Sequence, residues 1–280
     1  MRLMLIVLTL SLFSCGFNYE NHKMNASYPI SIVYYDSLSQ KELGDFPIDR
    51  DYYAQIIEIL ERQKPKYIIL KFFFTEKSNN DSLLNEVLQS HRNILTQAAV
   101  MPGESLQNIE VLSEYKIASG NHSFPGYRNA WLPYDELGRQ FSGIGFTNLI
   151  ASGDVFKEFN IISSLNGDIY PSLPLLILQK EIGDPILIEP NELRVGSVQI
   201  PINSNGSFPV GLSKPNTLYK AFSFVDVLHD KVEDHSFGNN IVIIFLSGEN
   251  APKYYTGDHE ARNVAEIVAD AINSVLIYLD

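Results

Sequence analysis

A lysine stands in the middle of an apolar run, Tyr67-Ile-Ile-Leu-Lys-Phe-Phe-Phe74. Buried there without a partner, its ammonium would be costly or would give up its proton. A carboxylate, Asp36, closes an earlier apolar run, Ile30-Ser-Ile-Val-Tyr-Tyr-Asp36. If the two runs are neighbouring strands, Asp36 reaches Lys71 and the pair makes a charged floor for a ligand. Removing one member of such a pair costs roughly 3–5 kcal/mol. An edge lysine with a buried stem and a solvated head fits the same pattern. Arg50 stands in the first turn of a helix among Asp45, Asp49 and Asp51, where a cation opposes the helix dipole. It therefore serves a specific carboxylate, either tying the helix to the strand ends or holding a ligand. Asp81 and Asp226 fall where helix capping or a capping box would put them. Asn148 ends a strand, where it closes a turn or binds. The loop Ser247-Gly248 to Gly257 leaves a strand and feeds a helix N-terminus. That geometry suits an anionic ligand and also a plain connection.

Other chemistries lack their residues. The six histidines, His22, His91, His122, His229, His235 and His259, show no metal-ligand spacing, and His259-Glu260 has no second histidine at i+4. No Gly-x-Ser-x-Gly elbow and no phosphate-binding loop occur. Gly143-x-Gly145 lacks the third glycine of a dinucleotide fingerprint. No cofactor and no metal are expected.

The elements that must position these groups read as α/β. Ile30–Asp36 is a strand, Asp49–Gln63 a helix with Tyr53, Ile56, Ile57 and Leu60 on one face, and Tyr67–Phe74 a second strand. The spacing predicts a right-handed crossover between parallel neighbours. Ligands in such sheets bind beyond the carboxyl ends of the strands. Ser78 to Asp81 supplies caps for a helix to about Ser90 with Leu83, Leu84, Val87 and Leu88 inward, and Asn93–Val100 is a third strand. Met101–Gln140 reads as irregular and holds the only tryptophan, Trp131. Asn166-Gly167 between extended runs signals a hairpin, and Pro171 opens a helix to Ile182. Short runs follow, then Ser223-Phe-Val-Asp226 as a capping box, Ile241–Leu246 as a buried strand and a final amphipathic helix. The expected fold is a single α/β domain with a mixed, largely parallel sheet and helices on both faces.

Twenty-one basic against 33 acidic residues leave a net charge of −12. A chain this acidic offers no face to a phosphate backbone or to an anionic lipid surface. Arg2 precedes an apolar run, Leu3–Phe13, too short to cross a bilayer, which describes a secretory signal. The run ends Leu12-Phe13-Ser14-Cys15-Gly16 and resembles a bacterial lipobox, with Phe13 where the usual pattern prefers a smaller residue. On that reading residues 1–14 are a signal peptide, Cys15 carries the lipid, 15–28 form a tether and 29–280 the domain. A plain signal peptide with an incidental cysteine is the alternative. Each buried acyl methylene would contribute ~0.8 kcal/mol to anchoring. Cys15 is the single cysteine, so once lipidated it leaves no thiol for a disulfide or a nucleophile.

The order Asp36-Ser-Leu, Leu43-Gly44, Phe46-Pro47, Arg50 and Tyr53-Ala54 resembles the opening of the second type of CHASE domain, the cyclase/histidine-kinase-associated sensory extracellular domain. The likeness continues through Asp81 with Leu83-Leu84, Gly145-Phe-Thr-Asn148, Tyr170-Pro-Ser-Leu-Pro, Ile200-Pro-Ile-Asn203, Phe224-Val-Asp226-Val-Leu228 and Asn240-Ile-Val-Ile-Ile to Gly257. Two basic residues depart from the family: Lys71, where it usually places an aspartate, and Lys157 after Ser152-Gly153-Asp154. The resemblance implies a non-catalytic extracytoplasmic sensory module in the bacterial envelope. Its partner would be a small molecule or an envelope protein, and its membrane contact the lipid alone. In the family a cyclase or kinase module usually follows, so a partner is expected to carry any signal here. A structural envelope lipoprotein and an enzyme with a scattered site are the rival expectations.

Overall fold

Ile241–Leu246, six apolar residues in a row, forms an inner strand of a seven-stranded sheet. The computed structural model describes residues 29–104, 109–118, 124–213, 219–248, 251–256 and 260–279. The expected signal segment, the tether and Cys15 lie outside them.

In chain order β1 (Ile30–Tyr35), α1 (Ser37–Leu43), α2 (Arg50–Glu61), β2 (Tyr67–Leu70), α3 (Asp81–Ser90) and β3 (Ile94–Met101) come first. The described residues of the stretch to Gln140 are more ordered than its composition suggests. It holds a 3-10 turn at Glu110–Tyr115, β4 (Gly126–Tyr127), β5 (Asn129–Trp131) and α4 (Asp135–Gly138). Then come β6 (Gly143–Phe146), β7 (Leu149–Ser152), β8 (Val155–Asn160), β9 (Ile162–Leu165), β10 (Asp168–Pro171) and α5 (Leu173–Ile182). β11 (Ile186–Glu189), β12 (Glu192–Val195), β13 (Val198–Pro201) and β14 (Ser207–Phe208) follow. The chain finishes with β15 (Lys220–Ser223), α6 (Phe224–Leu228), β16 (Ile241–Leu246), β17 (Lys253–Tyr255), β18 (Ala261–Asn263) and α7 (Val264–Leu276).

The main sheet runs β15-β1-β16-β2-β3, parallel throughout. β3 also pairs β6 in parallel and, farther along, β5 antiparallel. The fold is therefore α/β with a mixed, largely parallel sheet, as the sequence implies. One expectation fails. β1 and β2 are not neighbours, because β16 lies between them, matching Ile32 to Ile243 on one side and Ile69 on the other. A strand apolar at every position belongs where both faces and both edges are covered. The spacing of β1 and β2 alone does not reveal that another strand is inserted.

Both faces are packed, and alternation along the strands divides them. Ile30, Ile32, Ile241, Ile243 and Phe245 face a core that includes α5 and α7. Val33, Tyr35, Val242 and Ile244 face one built with α2, α3 and α6. Three small sheets accompany the large one, among them the β9–β10 hairpin turning at Asn166-Gly167.

Local corrections have local causes. Pro171 ends β10 rather than opening a helix. The helix starts after Ser172, whose side chain accepts from the Leu175 N–H, with Pro174 in its first turn. Leu83 is 39% exposed instead of inward. The final helix is amphipathic with the expected aliphatic stripe, but its polar side is covered as well: Asp270, Asn273 and Ser274 are buried. Gly211, Ser213 and Tyr219 meet that polar side, the Gly211 N–H on Ser274 Oγ and both the Ser213 N–H and the Tyr219 hydroxyl on Asp270.

Candidate functional site

Asp36, just past β1, holds three elements at the carboxyl end of the sheet. One of its carboxylate oxygens accepts from the Ser39 N–H at 2.9 Å, from Ser39 Oγ at 2.8 Å and from Ser223 Oγ at 2.9 Å. It is thus the N-cap of α1, a helix the sequence reading missed, and it ties α1 to the end of β15. Ser223 spends its hydroxyl on Asp36, so no capping box forms with Asp226. The Val225 N–H is satisfied by Ser39 Oγ instead, at 3.2 Å. Asp226 pairs with Lys231 at 3.5 Å, both half-exposed.

Arg50 finds its specific carboxylate in Asp81. Nε lies 3.3 Å from Oδ1, the side chains being 16% and 5% exposed. The guanidinium also lies over the Phe74 ring, 4.5 Å from its centre, and donates to the Glu76 carbonyl. Asp81 caps no helix end through its side chain. Its other oxygen accepts from the Ser78 N–H at 2.6 Å and the Tyr134 hydroxyl at 2.7 Å. The cluster therefore clamps α2, α3 and the chain before α4.

Lys71 overturns both readings of it. The strand expected to reach Phe74 ends at Leu70, although the Lys71 N–H still reaches the Ile244 carbonyl of β16. Its ammonium does not meet Asp36, nor does it reach solvent, for the residue is only 4% exposed. Nζ donates to Gln97 Oε1 at 2.9 Å and sits 4.4 Å from the centre of the Phe245 ring. The same Gln97 oxygen accepts from Thr147 Oγ1 at 2.9 Å. Burial pushes the Lys71 pKa down to about 7. With β16 between their strands, Asp36 and Lys71 serve separate clusters, and the shared charged floor is withdrawn.

Asn148 grips β3: its amide oxygen accepts from the Val100 N–H and its nitrogen donates to the Val100 carbonyl, at 2.9 and 2.8 Å. The Ser247 N–H continues the β1–β16 ladder to the Tyr35 carbonyl, and Gly248 takes φ +88°. The loop beyond does not feed the last helix directly. It forms β17, and β18 intervenes before Asn263 caps α7. Of the expected residues, only Arg50 and Asp81 share a cluster.

A cleft of about 550 Å³ opens at the other end of the sheet. Arg92 and Ser142, which precede β3 and β6, line it with Glu114 and Tyr115, Arg139, Phe141, and Leu176, Gln179, Lys180 and Gly183 from the end of α5. Burial lowers the pKa of Lys180, opposed by the charge of Glu114. A second cleft of about 490 Å³ follows the open edge of β15.

The CHASE2 domain model matches residues 3–278, nearly the whole length. The chain belongs to the CHASE2 domain family. Neither a search of curated proteins nor one of solved structures returns a match. The match begins ahead of Ile30, where the likeness read from individual residues starts.

CHASE2 domains are extracellular sensory domains and not catalysts. No helix among the described residues is long and apolar enough to cross a membrane. In this CHASE2 domain Lys71 is buried, and a glutamine oxygen replaces the solvent it lacks. Gln97 was legible as a polar residue inside the apolar run Ile94–Val100, and that was the signal for the Lys71 cluster. Nothing comparable marks the cleft, whose lining comes from four separate stretches of chain.

Proposed function

We propose that this chain is a non-catalytic sensory module held on the extracytoplasmic side of a bacterial membrane. A lipid on Cys15 holds it there, with residues 1–14 removed as a signal peptide and 15–28 serving as the tether. The observation that carries this reading is the family match across residues 3–278. Sensing requires a ligand or partner that binds one of two states better than the other. The clusters at the carboxyl ends suit that role as joints: Asp36 links α1 to β15, and Arg50 with Asp81 links α2 to α3. Whatever displaced one joint would move whole elements. No charged pair here is arranged as nucleophile, base and orienter among the described residues, which favours binding over catalysis.

A second reading, an envelope lipoprotein that binds only another protein, draws on one feature. Trp131 on edge strand β5 is 47% exposed and packs edge-on against Phe73, itself 37% exposed, with ring centres 5.0 Å apart.

Mass spectrometry of the mature N-terminus, together with native mass spectrometry of the purified protein, tests both. The sensory reading expects a diacylglyceryl-modified Cys15 as first residue and a co-purifying small molecule. An unmodified thiol in a protein that keeps residues 1–14 would refute the anchoring. A lipidated protein that carries only another polypeptide would favour the second reading.

A further inference from the structure

We propose that the cleft beyond the amino ends of β3 and β6 binds a small organic oxyanion, a carboxylate or a phosphate ester. The proposal deepens the sensory reading by naming a seat and a chemical class for its ligand. In a chain where acidic residues outnumber basic ones 33 to 21, this cleft reverses the balance. Three of its ten lining residues are cations, Arg92, Arg139 and Lys180, and one is an acid, Glu114. Arg139 is engaged by Asp135 at 3.1 Å and Glu110 at 3.2 Å. Arg92 and Lys180 reach no carboxylate within ion-pair distance among the described residues. Two cations with no carboxylate at ion-pair distance on the wall of a cleft are what an oxyanion would complete, and a guanidinium meets it with paired donors.

The wall is built to place Lys180. A Cβ at Gly143 would come within 3.1 Å of Lys180 Cε and within 2.8 Å of Leu176, so the bare strand lets the lysine stem cross β6. Ser142, the next residue back, has a hydroxyl oxygen shielded from solvent that bonds to no protein group. It lines the same cleft and supplies a free donor. Tyr115, Phe141 and Leu176 offer apolar surface for the rest of the ligand. Two features oppose an anion: Glu114, and the carbonyl-rich end of α5 at Gly183. Both act close to Lys180, which lies in the last turn of α5 and feels the charge of Glu114, so Arg92 is the less opposed of the two cations. The volume lies in the ordinary range for small-molecule sites, about 300–1,000 Å³.

The test uses the full-length protein in detergent, titrated with benzoate and with phenyl phosphate against sodium chloride of matched ionic strength. Thermal shift and calorimetry should detect one or both probes and not the chloride. Which probe binds tells carboxylate from phosphate. Lys180→Gln and Arg92→Gln should each weaken binding at least tenfold, and Glu114→Gln should tighten it severalfold. No binding of either probe, or binding that survives both substitutions unchanged, overturns the proposal. A molecule that co-purifies and survives both substitutions removes the cleft and leaves the sensory reading standing. A protein found unprocessed in the cytoplasm would instead remove the sensory reading and leave the cleft result untouched.

Discussion

Arg50 Nε and Asp81 Oδ1 lie 3.3 Å apart at the first turns of two different helices, each charge largely withdrawn from water. The desolvation of both is offset only while both are present. Asp81→Ala should therefore cost roughly 3–5 kcal/mol of unfolding free energy. Arg50→Met with Asp81→Leu should cost clearly less than the two single changes added together. Urea denaturation of the four proteins reads this directly, and strictly additive losses would show that the pair is not a coupled unit.

Lys71 makes stability depend on pH in a stated direction. The unfolded chain holds this proton up to about pH 10.5, whereas the buried ammonium gives it up near pH 7. Between those values unfolding takes up a proton, so stability rises with pH. Below pH 7 both forms are charged and the burial cost is at its largest. The separation of the two pKa values sets that cost at roughly 5 kcal/mol at most. Lys71→Met should stabilise the protein at pH 6 and flatten the rise between pH 7 and 10. Denaturation midpoints taken across that range decide it, and parallel curves for the two proteins would mean the ammonium is not carried into the core.

Two glycines of β6 differ in what surrounds them. A Cβ on Gly145 would lie 2.4 Å from Leu173 Cα and 2.6 Å from its nitrogen, against backbone at the start of α5. On Gly143 the nearest atoms, at 2.8 and 2.9 Å, are the ends of the Leu176 and Leu95 side chains, which can turn aside. Overpacking of a core costs typically ~1–3 kcal/mol and more where nothing yields. Gly145→Ala should exceed that range and fail to accumulate as folded protein, while Gly143→Ala stays within it. Comparable melting temperatures for the two variants would contradict the close approach of helix to strand.

Much of this was legible in the residues because strands and helices announce themselves locally. β1, the α2 face with Tyr53, Ile56, Ile57 and Leu60, β3 and β16 all stand where period and apolar runs place them. The family was legible too, from the order of scattered motifs, and the match over residues 3–278 shows it. Adjacency was not. Ser223 answers Asp36 from 187 residues away, and β16 enters between β1 and β2 late in the chain. The reading of Asp36 as a strand-end carboxylate was sound, yet its partner is a hydroxyl on β15 and not the ammonium after β2. A binding locus inferred from two charges needs the strand order, which periodicity does not carry. The cleft shows the same limit, since Arg92, Ser142 and Lys180 meet only once β3, β6 and α5 are assembled.

Asn148 shows how one amide can fasten a strand. It meets both the donor and the acceptor of Val100, at 2.9 and 2.8 Å, where the β3–β6 pairing has run out. Asn148→Ala leaves two backbone groups to find other partners, at a cost of about 1–3 kcal/mol. Asn148→Asp keeps the acceptor for the Val100 N–H but sets a carboxylate against the Val100 carbonyl. Its loss should therefore equal or exceed that of the alanine variant at pH 7. It should shrink as the pH falls below 4 and the acid regains a proton to donate. Thermal melts of both variants at pH 7 and pH 4 separate this from simple truncation, and an aspartate variant as stable as wild type at pH 7 would show that the donor to Val100 is dispensable.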